Sequence, residues 1–398
     1  MMPGTVSVTA PTRHTTALPL LASALLSAVA LTFVGWSVNG RQAALMGVGL
    51  FAGLALYHAA FGFTTAFRVF VIEGRGAGVR AQMLMLGLAA AVFIPLIGAG
   101  QPVLGQTLRG STAPLGVALV IGSFLFGIGM QLGGGCASGT LYSAGGGNLR
   151  MAVTLACFVA GSLIGTAHAP FWEAAPSAPA VTWLQVGGIG GALAITAILL
   201  GGVWLVSAGI ERRRHGSLEG DARWATRQPR WWLQGPWPLV LGAAALALVN
   251  VATLLIAGRP WGVTGAFALW GAKIALALGI DVTTWPYWHT PARLASLQAP
   301  VIADVTSVMN FGIILGAWIA ASLAGRFAPG WRVPLGSLAA AVIGGLLLGY
   351  GARLASGCNI GAYFSGVAST SLHGYVWFLS ALTGTILGAR LRRAFGIG

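Results

Sequence analysis

The chain has 398 residues, 56% of them hydrophobic and only 7% charged, against about 25% charged in soluble domains. That composition excludes a soluble globular protein and requires one that lives in a lipid bilayer. The net charge of +15 does not indicate a nucleic-acid partner, because the arginines are scattered through the connections between apolar runs, as expected of a bacterial inner-membrane protein.

Runs of about 20 apolar residues can cross a hydrocarbon core of about 30 Å as helices. They lack the alternation of barrel strands, so helices are the remaining way to satisfy the backbone in lipid. The opening MMPGTVSVTAPTRHTTA is polar, and the apolar run after it ends at Gly35-Trp36-Ser37 without a small-x-small cleavage site; it reads as a retained first helix. Spans are predicted at 18–36, 42–57, 81–100, 112–131, 150–168, 181–209, 237–257, 302–324, 333–353 and 373–392. The fold class is therefore all-α, a polytopic membrane protein of about ten transmembrane helices.

Between these spans, the loop 210–236 carries Arg212, Arg213, Arg214, Arg223, Arg227 and Arg230, whereas HAPFWEAAPSAPAVTW carries no arginine. The first is expected in the cytoplasm and the second outside. Both termini, with Arg13 and with Arg390, Arg392 and Arg393, then fall inside.

The stretch Gly127–Ser143, GIGMQLGGGCASGTLYS, returns as GYGARLASGCNIGAYFS over Gly349–Ser365. Without a gap, Gly127 overlays Gly349, Gly129 overlays Gly351, Leu132 overlays Leu354, Gly135 overlays Gly357, Cys136 overlays Cys358, Gly139 overlays Gly361, Tyr142 overlays Phe364 and Ser143 overlays Ser365. The helices after the two copies, 150–168 and 373–392, run in opposite directions on the charge rule, which predicts two inverted-topology repeats with re-entrant, cysteine-bearing loops. A weaker echo, Phe61-Gly62-Phe63-Thr64 and Trp261-Gly262-Val263-Thr264, precedes each copy. The expected organisation is one membrane domain over 1–398: a tail and extra helix (1–41), repeat 1 (42–168), a linking helix and basic loop (169–236) and repeat 2 (237–398).

Irregular backbone at membrane depth occurs where it is buried in protein or lines a wet cavity, so Gly133-Gly134-Gly135 and Ser356-Gly357 predict cavity-lining loops whose amides can bind an anion. Glycines also serve plain helix packing, the reading that suits Gly344-Gly345. At the two cysteine loops the recurrence of a reactive side chain favours a site. The candidate path comprises Gly134, Gly135, Cys136, Ser138, Gly357, Cys358 and Asn359, joined by Thr64, Thr264 and Lys273. Lys273 is the only lysine; an intramembrane charge is a functional candidate, with snorkelling to the interface as the alternative. Neutral thiols are weak S–H donors that suit a polarisable sulfur anion. A metal site is disfavoured, since two thiols without a histidine or methionine pattern make a poor ligand set, and no cofactor is implied. Cys157 sits in an apolar run and reads as a small hydrophobe. Arg353 either anchors a helix end or draws anions inward, and His58 and His373 read as structural. Glu73, Glu173, Glu211, Glu219, Asp221 and Asp281 are expected in loops or at their edges, and Asp304 near a helix start, so a carboxylate relay for cations is missing and an anion path is favoured.

The segments FGIGMQLGGGCASGTLYSAGGGN, GRPWGVTGAFALWGAK and ARLASGCNIGAYFSGVASTSLHGYVWF resemble the YeeE/YedE sulfur-transport family over roughly 42–392. The resemblance implies an hourglass-shaped, pseudo-symmetric helical protein that takes up thiosulfate or a similar sulfur anion, not an enzyme, with Cys136 and Cys358 as the central and second essential cysteines. Where related thiosulfate carriers have Phe-Cys-x-Thr, this chain has Phe61-Gly62-Phe63-Thr64, one thiol station fewer, and another branch of the family is associated with selenium. The family's partner is a TusA-like sulfur carrier, which the basic loop or tail could dock. Alternatives are a membrane sulfurtransferase forming a persulfide on Cys136 and a cysteine-independent anion channel.

Overall fold

The computed structural model describes residues 17–397 apart from 222, 224–228, 331 and 332. The expectations placed on the polar opening with Arg13, and on Arg227, lie outside the described residues. All ten predicted spans are helices: α1 (Ala17–Ser37), α2 (Gly40–Ala59), then a short α3 (Phe63–Glu73), α4 (Ala77–Ala99), α5 (Val117–Gly133), a short α6 (Ala137–Gly145), α7 (Leu149–Ala167), α8 (Trp183–His215), α9 (Leu239–Ala257), a short α10 (Thr264–Ala277), α11 (Val305–Leu323), α12 (Leu335–Leu354) and α13 (Leu372–Leu391). Between α12 and α13, Asn359–Phe364 form a π-helical turn that continues into Ser365–Ala368. Among the described residues nine helical segments are long and apolar enough to cross a bilayer. The tenth expected span, α13, is not one of them, because His373, Ser380, Thr383, Thr385 and Arg390 dilute its apolar run.

Local chemistry sets the ends. Asn39, Asn148 and Asp304 cap α2, α7 and α11 by accepting from backbone amides three residues on, and Thr182 with Gln185 forms a capping box on α8. Helix α8 runs six residues past its expected end at 209, which carries Glu211 into the protein. Its carboxylate is buried against the Arg80 guanidinium at 2.5 Å and accepts from the amides of Gly76 and Glu219, tying α8 to α4. Glu211, expected in a loop or at its edge, thus sits in the last turns of α8.

Helices in lipid gain little from hiding apolar surface from one another and associate through close packing of small residues. The centre of this fold is such a contact. A Cβ on Gly122 would fall 2.8 Å from Gly351 O, and one on Gly129 would fall 2.9 Å from Gly344 O. In the gapless overlay Gly129 matches Gly351, and the same offset matches Gly122 to Gly344. The two helices therefore meet through residues that the overlay matches, with roles exchanged, and the pairing of early with late residues makes α5 and α12 antiparallel. Flanking them, α13 lies along α5 (Ser380 on Val120, Gly388 on Ile128) and α7 along α12 (Gly349 on Phe158, Gly345 on Thr154), each pair parallel. Helix α2 likewise packs on α11, and α9 on α4 and α2. The halves are interleaved, with α1 and α8 applied to the outside against α11 and α4.

Candidate functional site

Among the described residues, four helices end at a left-handed turn and are followed by a short helical piece: at Ala60 (φ 41°), Gly134 (φ 86°), Gly258 (φ 71°), and Ser356 with Gly357 (φ 58° and 145°). After each break a short helical piece begins, at Phe63, Ala137, Thr264 and Asn359. The residues at these starts include both motif cysteines, which occupy the N-cap positions of α6 and of the π-helical turn. The pieces lie close together: α6 contacts the π-helical turn, Gly262 lies against Gly361, and Ser111 Oγ donates to Gly361 O at 3.0 Å. The expected irregular loops at Gly133–Gly135 and Ser356–Gly357 are present, as breaks within long apolar segments.

Cys136 is buried at 2% exposure. Its Sγ accepts from Gly139 N at 3.4 Å and lies 3.4 Å from Ser138 Oγ, so an expected path residue, Ser138, is the thiol's immediate partner. Cys358 is fully buried, and its carbonyl accepts from Ala362 N and Tyr363 N, the longer reach that widens the turn into a π-helix. Next to it, Asn359 is fully buried with neither side-chain polar atom in a hydrogen bond. Thr64 Oγ1 is likewise buried and unpartnered, while its carbonyl accepts from Gln131 Nε2 at 3.1 Å and leaves Gln131 Oε1 unpartnered. Buried polar groups are almost always satisfied, so such a collection is either costly or waiting for a ligand. Thr264 opens α10, buried, and all three cysteines are free thiols.

The Trp261-Gly262-Val263 loop is held by residues the sequence reading passed over. Asn250 Oδ1 accepts from Trp261 N at 2.8 Å, Ser365 Oγ donates to Trp261 O at 2.7 Å, and Asn310 Nδ2 donates to Val263 O at 3.0 Å. A signal existed: Gln131, Asn250 and Asn310 are lone amides in apolar helices. At Gly62 a Cβ would meet nothing nearer than Thr65 Oγ1 at 3.5 Å, and at Gly262 nothing within 4 Å; neither glycine is demanded by crowding.

Lys273 is not with the cysteines. Its Nζ donates to Leu297 O at 2.8 Å and Ala299 O at 2.7 Å, closing the end of the short helix Pro291–Gln298. Cys157 is half-buried against Gly345, the packing part expected of it. His373 Nδ1 lies 2.7 Å from Ser371 Oγ, and His58 is buried with neither ring nitrogen bonded. No group of three or more His, Cys, Asp or Glu gathers among the described residues.

Two cavities flank this centre at opposite ends of α12. One, about 530 Å³, is lined by Ser356, Arg353, Arg293, Tyr287, Trp172 and Glu173. Arg353 donates to Tyr287 Oη at 2.7 Å, and the Arg293 guanidinium lies 4.0 Å over the Tyr287 ring. The other, about 510 Å³, is lined by Ser143, Asn148, Arg150, Arg326, Ser337 and Tyr57. Ser356 stands two residues before Cys358, and Ser143 lies in the last turns of α6, which begins at Cys136.

The family model described as Sulphur transport matches residues 58–387. The chain is 32% identical to a protein named probable transporter YedE from Salmonella typhimurium over 161 residues, 40% of this chain and 39% of that protein, so the match spans well under half of the relative's length. It is 27% identical to a protein named thiosulfate transporter TsuA from Spirochaeta thermophila over 341 residues, 83% of this chain and 92% of the relative. A TsuA from Escherichia coli is 23% identical over 84% of this chain and 90% of its own length.

Proposed function

We propose that this chain, which belongs to the Sulphur transport family, is a multi-pass membrane transporter that brings thiosulfate or a related reduced sulfur or selenium anion into the cell. The observation that carries the reading is the set of buried, unpartnered polar groups, Asn359 and Thr64 among them, beside two buried thiols at the starts of helical pieces. Helix starts and free amides favour negative charge. Weak S–H donors replace the loose hydration of a sulfur-terminated anion more readily than that of sulfate.

In this reading the halves are inverted repeats, with the axis between α5 and α12 lying in the membrane plane. The cavity at Arg353 opens outside and the one at Arg150 opens to the cytoplasm, as do both termini in an inner membrane. The anion passes from Cys358 to Cys136 along Gly357, Asn359, Thr64, Thr264, Ser138, Gly135 and Gly134. Lys273 steadies the outer wall of the route. Carrying a dianion inward against about 100 mV costs about 4.6 kcal/mol, or about three powers of ten in concentration. A cytosolic acceptor, a TusA-like sulfur carrier docked on the basic loop 210–236 or the tail, would consume the anion and keep flow inward.

Uptake of labelled thiosulfate into proteoliposomes tests this. Cys136→Ala and Cys358→Ala are each expected to abolish uptake that the unmodified protein supports, and retained uptake in either variant removes that cysteine from the route. A persulfide found on Cys136 during turnover would replace transport with sulfur transfer.

A further inference from the structure

Helix α5 ends at Gly133, three residues before Cys136, and its last carbonyls, which have no partner within the helix, carry the negative end of its dipole. That is poor company for an anion. Two arginines from distant parts of the chain meet this end. Arg150, in the first turn of α7, donates Nη1 to Gly133 O at 2.7 Å and Nη2 to Leu132 O at 2.6 Å, while its Nε bonds Ser337 Oγ at 2.7 Å. Arg392, just past α13, donates to Gln131 O at 2.9 Å. Three successive carbonyls are thus covered by two guanidinium groups. Gly134, at φ 86°, presses directly on the first of them: a Cβ there would lie 2.4 Å from Arg150 Nη1.

The matching end of α12 is equipped differently. Arg150 and His373 are each the second residue of the helix that follows a cysteine segment, and His373 turns to Ser371 and Gly366. Arg353, in the last turn of α12, reaches away to Tyr287. The α5 helix end before Cys136 is therefore met by two guanidinium groups, whereas the arginine on the last turn of α12, before Cys358, is turned to Tyr287. A guanidinium partly withdrawn from water in a membrane protein is costly and is a functional candidate.

We propose that Arg150, supported by Arg392, is a positioning residue that makes the Cys136 side the tighter station for a divalent sulfur oxyanion. It holds the Cys136 loop in shape and turns a repelling helix end into an attracting one. The inference rests on the transport reading above and adds to it a direction: the anion settles on the side of the Arg150 cavity.

The test is saturation kinetics of thiosulfate uptake in proteoliposomes for the unmodified protein, Arg150→Lys and Arg150→Gln. Glutamine can still donate to one carbonyl but carries no charge, so KM is expected to rise about tenfold or more, the loss of one charge-assisted contact. Lysine keeps the charge and should restore KM to within about threefold of the unmodified value. Equal KM in Arg150→Gln and the unmodified protein overturns the inference, as does equal impairment of the Lys and Gln variants. Should Arg150→Gln fail to assemble, Arg392→Gln reads the same helix end with the Arg150 bonds intact: a raised KM supports the proposal and an unchanged one overturns it. No uptake by the unmodified protein would overturn the transport reading, and this inference with it.

Discussion

Asn359 pulls stability and function in opposite directions. Its amide is fully buried and makes no hydrogen bond, so replacing it with an apolar side chain of similar size removes a desolvation cost and breaks nothing. Asn359→Leu is expected to leave thermal unfolding in detergent unchanged or raise stability by about 1 kcal/mol, while cutting thiosulfate uptake at least about tenfold; a loss of both together would make Asn359 a structural residue. The sequence made Cys136 and Cys358 legible as a matched pair because a repeated motif marks them independently of geometry. It could not reveal where long side chains end. Lys273 reaches the carbonyls of Leu297 and Ala299, and Arg150 reaches those of Leu132 and Gly133; each destination depends on a neighbour brought in by tertiary packing.

At the scale of elements, helix placement was readable because apolar runs of bilayer length leave the backbone few options. The breaks were readable too, from Gly-rich punctuation at 133–135 and 356–357. Which helices pair was hidden, because a glycine that admits a neighbour looks the same as one that merely bends. Gly344 is one of the first kind: a Cβ there would lie 2.1 Å from Gly133 N, whereas nothing lies within 4 Å of one at Gly202. Gly344→Leu is therefore expected to cost about 3 kcal/mol or more by forcing α5 and α12 apart, and Gly202→Leu to stay within about 0.5 kcal/mol. Thermal unfolding of the two purified variants checks this, and similar midpoints would show that the α5–α12 contact is loose. The helix end at Glu211 was hidden for a related reason: nothing in the run of arginines after it says that α8 continues, and its charge is compensated by the Arg80 guanidinium with the amides of Gly76 and Glu219, which only tertiary packing brings in.

For the molecule as a whole, the proposed orientation rests on arginine placement, and exposed residues in the two opposite connections offer a direct check. In a Cys157→Ala background, Ser177→Cys is expected to react with an impermeant maleimide on intact cells, and Ser217→Cys only after permeabilisation. Reaction of Ser217→Cys on intact cells would reverse the assignment. The interleaving of the halves bears on how such a protein is made. Until the ribosome has delivered α12 and α13, the small-residue faces of α5 and α7, with Gly122, Gly127, Gly129 and Gly161, stand without their final neighbours. Insertion must then be followed by a late locking step in which the carboxyl-terminal helices slot between those already placed, and a nascent chain stalled before residue 335 would hold every early span and still lack the α5–α12 contact at the centre.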